Sequence, residues 1–171
     1  LVQMSLIQSD LREIAREDIP VTNTLSQIGE RERSAALDLT RAVALAERAR
    51  TAGAFSKAAA ESTREKARDL AERYLATSGD IPDLLDKADR LVESAVSHSD
   101  AQGREFFKVV RGSMSELRQA HVAFAKVSES AANAIMDGDF EEAASKSNEI
   151  SARLDKVAAV VSDVTGELRE F

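Results

Sequence analysis

This 171-residue chain has no cysteine and no tryptophan, only two prolines and seven glycines, and its aromatic residues make up 4% of the total. Without cysteine there can be no disulfide framework, thiolate metal site, thiol nucleophile or c-type haem attachment. A sheet needs turn residues at short intervals, and glycine and proline are too few to supply them. No apolar run approaches the roughly 20 residues of a bilayer span, and no signal peptide is visible. An excess of positive charge is also missing. Thirty acidic residues against 23 basic ones leave a net charge of −7. Nucleic acid or an anionic membrane would call for a basic stripe. Here arginine and lysine are interspersed with acids at helical spacing, as on a solvated face.

What is abundant is the alphabet of long helices. Hydrophobic residues make up 43% and charged residues 31%, mostly Ala, Leu, Glu, Arg, Lys and Asp, which lose little side-chain freedom in a helix. The fold class is therefore all-α. A 3,4-spaced apolar seam, the pattern of helices packed at shallow angles, runs through four segments. The first reads Met4, Ile7, Leu11, Ile14, Asp18, Val21, Leu25, Ile28, Glu32, Ala35, Leu39, Ala42, Ala46, Ala49. The second reads Ala60, Thr63, Ala67, Leu70, Tyr74, Thr77, Ile81, Leu84, Ala88, Leu91, Ala95, His98. The third reads Val110, Met114, Leu117, His121, Phe124, Ser128, Ala131, Ile135. The fourth runs from Phe140 through Ala143, Ser147, Ile150, Leu154, Val157, Val161, Val164 and Leu168 to Phe171.

These seams predict helices over 4–51, 55–99, 103–137 and 140–171, joined by short connections into an up-down-up-down antiparallel four-helix bundle. Gly138 suits a left-handed helix end, Asp139 an N-cap and Glu142 the capping-box position. Pro82 removes a backbone donor within the second seam, and Asp80 with Asp83 resembles a new N-cap, so that helix is expected to be kinked or briefly interrupted near Gly79–Pro82. Counted from Gly53, Pro20 lies 33 residues back and Pro82 29 forward, which predicts both at one height within roughly 6 Å. The first seam opens without a cap and the last has no stop signal. The expectation is one helical domain over 1–171, excised from a longer polypeptide.

Catalytic constellations fail on inventory. There are two histidines, His98 and His121. The serines near His121 lie at helical spacing with no nucleophile elbow. A di-iron bundle needs Glu-x-x-His on two helices, but Ala95 and Arg118 stand three residues before the histidines. A haem would have to pair His121 with Met4 or Met114. No phosphate-binding glycine loop exists. No enzyme, metal site or cofactor is expected.

The unusual residues are the polar ones on the seams: Asp18, Glu32, Tyr74, His98 and His121. Such groups often fix helix register in a core; the alternative is a ligand pocket. His98, near a helix end, reads as surface. Glu32 and Tyr74 each lie 21 residues from Gly53, and His121 lies 17 from Gly138. With both turns at one end of the bundle, the three fall within roughly 6 Å of one height, with Leu154 and Val157 facing them. Glu32, Tyr74 and His121 are therefore the candidate ligand-binding residues.

Residues 11–43 read LREIAREDIPVTNTLSQIGERERSAALDLTRAV. Through Ile14, Ala15, Glu17, Asp18, Ile19, Pro20, Leu25, Ile28, Arg41, Ala42 and Val43 this phrase resembles the helical sensory region of bacterial methyl-accepting chemotaxis proteins. His121-Val122-Ala123-Phe124 and the hairpin Met136 to Ala143 are similar to later motifs of that family, in the same order. The chain departs from the family pattern at Arg33, Thr40 and Thr77–Asp83.

The resemblance implies an extracytoplasmic, periplasmic sensory domain held between two membrane spans that lie outside this sequence, acting as a homodimer. A small-molecule ligand or a periplasmic binding protein would shift one helix against its neighbours. Ligand residues are not shared across such domains, so none is carried over. The competing expectation is a cytoplasmic interaction or scaffold bundle that binds a partner helix along an exposed seam.

Overall fold

The computed structural model describes residues 19–52 and 56–170. Among them the chain is all-α, with no strand. Six helical segments follow one another: α1 Ile19–Ala52, α2 Lys57–Ser78, α3 Ile81–His98, α4 Ala101–Asp137, α5 Phe140–Ser145 and α6 Ser147–Glu170. The seam positions Met4 to Asp18, the Gly53 turn and Phe171 lie outside the described residues.

Local chemistry accounts for the ends. The Ser56 hydroxyl accepts from Ala59 N at 3.3 Å, Asp100 from Gly103 N at 2.8 Å, and Asp139 from Glu142 N at 3.0 Å. Each satisfies an orphan donor of a helix's first turn. Gly138 ends α4 at φ 87°, a left-handed conformation that a side chain disfavours. Asp139 N donates back to the Ala134 carbonyl at 2.8 Å. The expected capping box is only half built, because the Glu142 carboxylate pairs with Lys146 at 2.6 Å instead.

Two of the expected long helices are divided. The second breaks at Gly79–Asp80 into α2 and α3. Both residues keep right-handed helical dihedrals, and Asp80 makes no side-chain cap. Its carboxylate stands 3.9 Å from Arg31 of α1. The fourth breaks at Lys146 into α5 and α6, within Ser145-Lys146-Ser147-Asn148, where serine and asparagine compete for the backbone. Ser145 Oγ donates to the Glu142 carbonyl at 2.7 Å, and Ser147, expected on the seam, is exposed.

Direction and register come from cross-helix pairs. Arg31 meets Asp80, and seven residues onward Asp38 meets Arg73 at 3.1 Å, seven residues back along the partner. Thus α1 runs antiparallel to α2 and α3. From α4, Ser113 donates to Glu167 of α6 at 3.1 Å, and Arg118 holds both Asp86 and Asp89 of α3. The guanidinia of Arg64 and Arg68, early in α2, lie 5.7 and 5.8 Å from the Phe140 ring centroid. The start of α2 and the Gly138 turn therefore share one end of the molecule, as expected.

This register corrects the proline layer. Position 29 of α1 faces Pro82, so Pro20 lies nine residues away, about 13 Å along the axis. The error came from centring the turn on Gly53, whereas α2 starts only at Lys57.

The core follows the seams closely in α1 and α4. Every described seam residue there is buried, from Val21 to Ala49 and from Val110 to Ile135. In α2 and α3 the seam is displaced by one residue at three positions: Ala71, Leu85 and Val92 are buried, while Leu70, Leu84 and Leu91 are only partly so. Both choices are apolar at each step, so spacing by three and spacing by four could not be separated from pattern alone. Alanine dominates the interior of α1 (Ala35, Ala36, Ala42, Ala46, Ala49), and larger groups such as Tyr74, Phe107, Met114 and Phe124 fill it from the other helices. Helix α1 lies closely against α2 and the short α5 but only loosely against α6. No helix among the described residues is long and apolar enough to cross a membrane.

Candidate functional site

Among the described residues, the Glu–His pairing across the interior joins Glu32 of α1 to His121 of α4. Both sit on seam positions and are 3% and 5% exposed. His121 Nδ1 is in short contact with Glu32 Oε1. A carboxylate has no proton to give, so with Glu32 ionised the ring N–H is the donor. Taking either group out of water alone would be costly, and together they satisfy much of that cost. The second carboxylate oxygen, Glu32 Oε2, is buried without a hydrogen-bond partner.

The pair stands between two grooves. His121 lines one of about 1010 Å³, with Pro82, Leu85, Arg118 and Glu129 among its walls. Glu32 lines another, of about 780 Å³, between α1 and α6, with Gly29, Leu154 and Val157. The expected facing of Leu154 and Val157 toward Glu32 is found. Arg31 and Asp80 place the break between α2 and α3 at the same height, so the interrupted helix flanks the buried pair.

Tyr74 does not join them. It is fully buried, but Arg73–Asp38 sets it level with about residue 37 of α1, some 7–8 Å along the axis from Glu32. Its phenol neighbours the hydroxyls of Ser128 and Ser78, yet Tyr74 Oη and Ser128 Oγ make no hydrogen bond of normal geometry. Burial pushes the Tyr74 phenol up to about 12, with Ser128 and Ser78 pulling the other way and the charges of Glu129 and Glu32 adding to the rise. The interior thus has two polar levels: the Glu32–His121 pair, and a tyrosine–serine level nearer the Gly138 turn.

The remaining polar seam residues behave simply. His98 is exposed and meets the Ser94 carbonyl through Nδ1 at 2.8 Å. Asp18 lies outside the described residues. Sequence reasoning missed Asp38, which is 5% exposed and paired to Arg73; it sits one position off the seam, beside Leu39. It also gave Ser128 no special weight, although a serine at a seam position was visible. Among the described residues no cluster of three or more His, Asp or Glu could hold a metal ion.

No protein-family model, curated protein or solved structure matches this chain.

Glu32→Ala or His121→Ala alone should cost about 3–5 kcal/mol in denaturant unfolding, because each strands a buried partner. The apolar double variant Glu32→Leu/His121→Leu should recover much of that loss. Additive losses in the cycle would show that the two groups are not coupled.

Tyr74 is the only tyrosine and there is no tryptophan, so phenolate absorbance reports it alone. Its folded-state value near 12 lies above the ordinary 10.0. The protonated phenol therefore contributes stability that is fully present below pH 10 and lost as pH rises toward 12, about 2–3 kcal/mol in all. The folded protein should titrate near 12 and the urea-unfolded chain near 10. A folded-state midpoint near 10 would contradict a buried phenol.

Proposed function

We propose that this chain is the extracytoplasmic ligand-sensing domain of a chemoreceptor of the methyl-accepting type, built as one up-down-up-down four-helix bundle with α2–α3 as the second member and α5–α6 as the fourth. The observation that carries this reading is the Glu32–His121 pair, buried at the height where α2 gives way to α3 and flanked by grooves on two sides. A ligand that engages one member of such a pair changes what holds α1 against α4. Signalling requires only that ligand bind two helix arrangements unequally, and a shift of 1–2 Å between packed helices is a known form of that change.

The sequence phrase Ile14 to Val43 and the Gly138 hairpin support the same assignment. A homodimer in the parent receptor, hydrophobic spans beyond both ends, and a small molecule or a periplasmic binding protein as partner all belong to this proposal. So does the lack of any catalytic role.

Topology reporters test it in the parent polypeptide. An alkaline phosphatase fused behind Phe171 should be active and a green fluorescent protein fused there should be dark, as for a segment on the outer side of the bacterial inner membrane. The reverse pattern would place the bundle in the cytoplasm and favour the scaffold reading.

A further inference from the structure

The groove between α1 and α6 has a chemistry of its own. Its floor carries Glu32, whose Oε1 is taken by His121 and whose Oε2 is buried with no partner. Its walls combine apolar or small residues, among them Gly29, Ala36, Leu154, Val157 and Val161, with the hydroxyls of Thr40, Ser162 and Thr165, of which Thr40 and Ser162 are exposed. A volume of about 780 Å³ is within the range of small-molecule sites. Arg33 and Asp155 line it as well, and both are exposed at the rim.

From these features we propose that the α1–α6 groove binds a primary amine with an apolar body, its ammonium donating to Glu32 Oε2. The assignment rests on the ligand-sensing reading above and names the ligand class for it.

Each alternative class meets a specific obstacle. A carboxylic acid would set a second negative charge against Glu32, and the one arginine that lines the groove, Arg33, is at the solvent edge. A sugar needs many convergent polar groups inside the site, whereas Arg33, Thr40, Asp155 and Ser162 are all solvent-exposed and Thr165 already donates its hydroxyl to the Val161 carbonyl at 2.7 Å. A metal ion needs several ligating side chains, and no such cluster occurs among the described residues. An ammonium supplies the donors that Oε2 lacks, and its hydrocarbon covers the aliphatic walls. A charge-assisted hydrogen bond of this kind is among the stronger ones in proteins. Because Glu32 also holds His121, the amine acts on the contact between α1 and α4 through a single carboxylate.

Calorimetric titration with hexylamine, hexanol and hexanoate tests the idea on the folded chain. Hexylamine should bind, hexanol more weakly and hexanoate not at all. Glu32→Gln should weaken hexylamine on the order of tenfold to a hundredfold and abolish its advantage over hexanol. Ala158→Phe, at an exposed position in the same groove, should block both hexylamine and hexanol while leaving Glu32 and helicity intact, which guards against an unfolded Glu32 variant. Equal binding of hexanoate, or hexylamine binding unchanged in Ala158→Phe, would overturn the site. If no probe binds while the topology reporters place the domain outside the membrane, the amine assignment falls and the sensory reading stands. If hexylamine binds as described but the reporters place the domain in the cytoplasm, the site stands and the sensory reading falls.

Discussion

A carboxylate removed from water must find a donor, and in this chain Glu32 finds it on another helix, 89 positions away at His121. That requirement constrains much else. The two groups meet only if α1 and α4 hold one axial register, and the seams of both helices are buried in phase with them. The same register sets the α2–α3 break beside the pair through Arg31 and Asp80. It also leaves Tyr74 and Ser128 at a second level nearer the Gly138 turn. Apolar contacts alone would tolerate a slip of one heptad, since aliphatic and small residues recur along the α1 seam; a buried carboxylate–imidazole contact does not.

The interior is correspondingly uneven. Near the Gly138 turn, α1 packs on α2 and α5, and Arg64 and Arg68 cover the Phe140 ring. At the level of Glu32, a groove lies between α1 and α6. Small residues on both sides line the opening: Ala36 on α1, and Ala158 and Gly166 on α6, where a Cβ at Gly166 would meet nothing within 4 Å. Yet at Gly29 a Cβ would come within 3.3 Å of Val161, so the helices do touch at one point of the groove.

Much of this was legible in the sequence, for reasons that can be named. In α1 Leu25, Ile28 and Leu39, and in α4 Met114 and Leu117, have no large apolar neighbour in the chain, which fixes the phase of both seams, and Glu32 and His121 fall on it. In α2 and α3, adjacent apolar residues allow two phases, and at Leu70–Ala71, Leu84–Leu85 and Leu91–Val92 the second member is the buried one. The axial placement of Tyr74 and Pro82 failed because helix ends near Gly53 had to be guessed, and each residue of error shifts an antiparallel partner by about 1.5 Å. Neither the break at Lys146 nor the Arg73–Asp38 pair carries a strong local signature. The free oxygen of Glu32 is a property of packing alone, and no spacing rule could have found it.

Nitrogen-resolved NMR of the two histidines tests the central claim most directly, because His98 is exposed and serves as an internal reference. The claim is that His121 Nδ1–H is held by Glu32 inside the protein. His121 should then show a ring N–H resonance protected from solvent exchange, which disappears in Glu32→Gln while the fold persists, whereas His98 shows none. A His121 ring that exchanges as freely as His98, or whose N–H resonance is untouched by Glu32→Gln, would contradict the account.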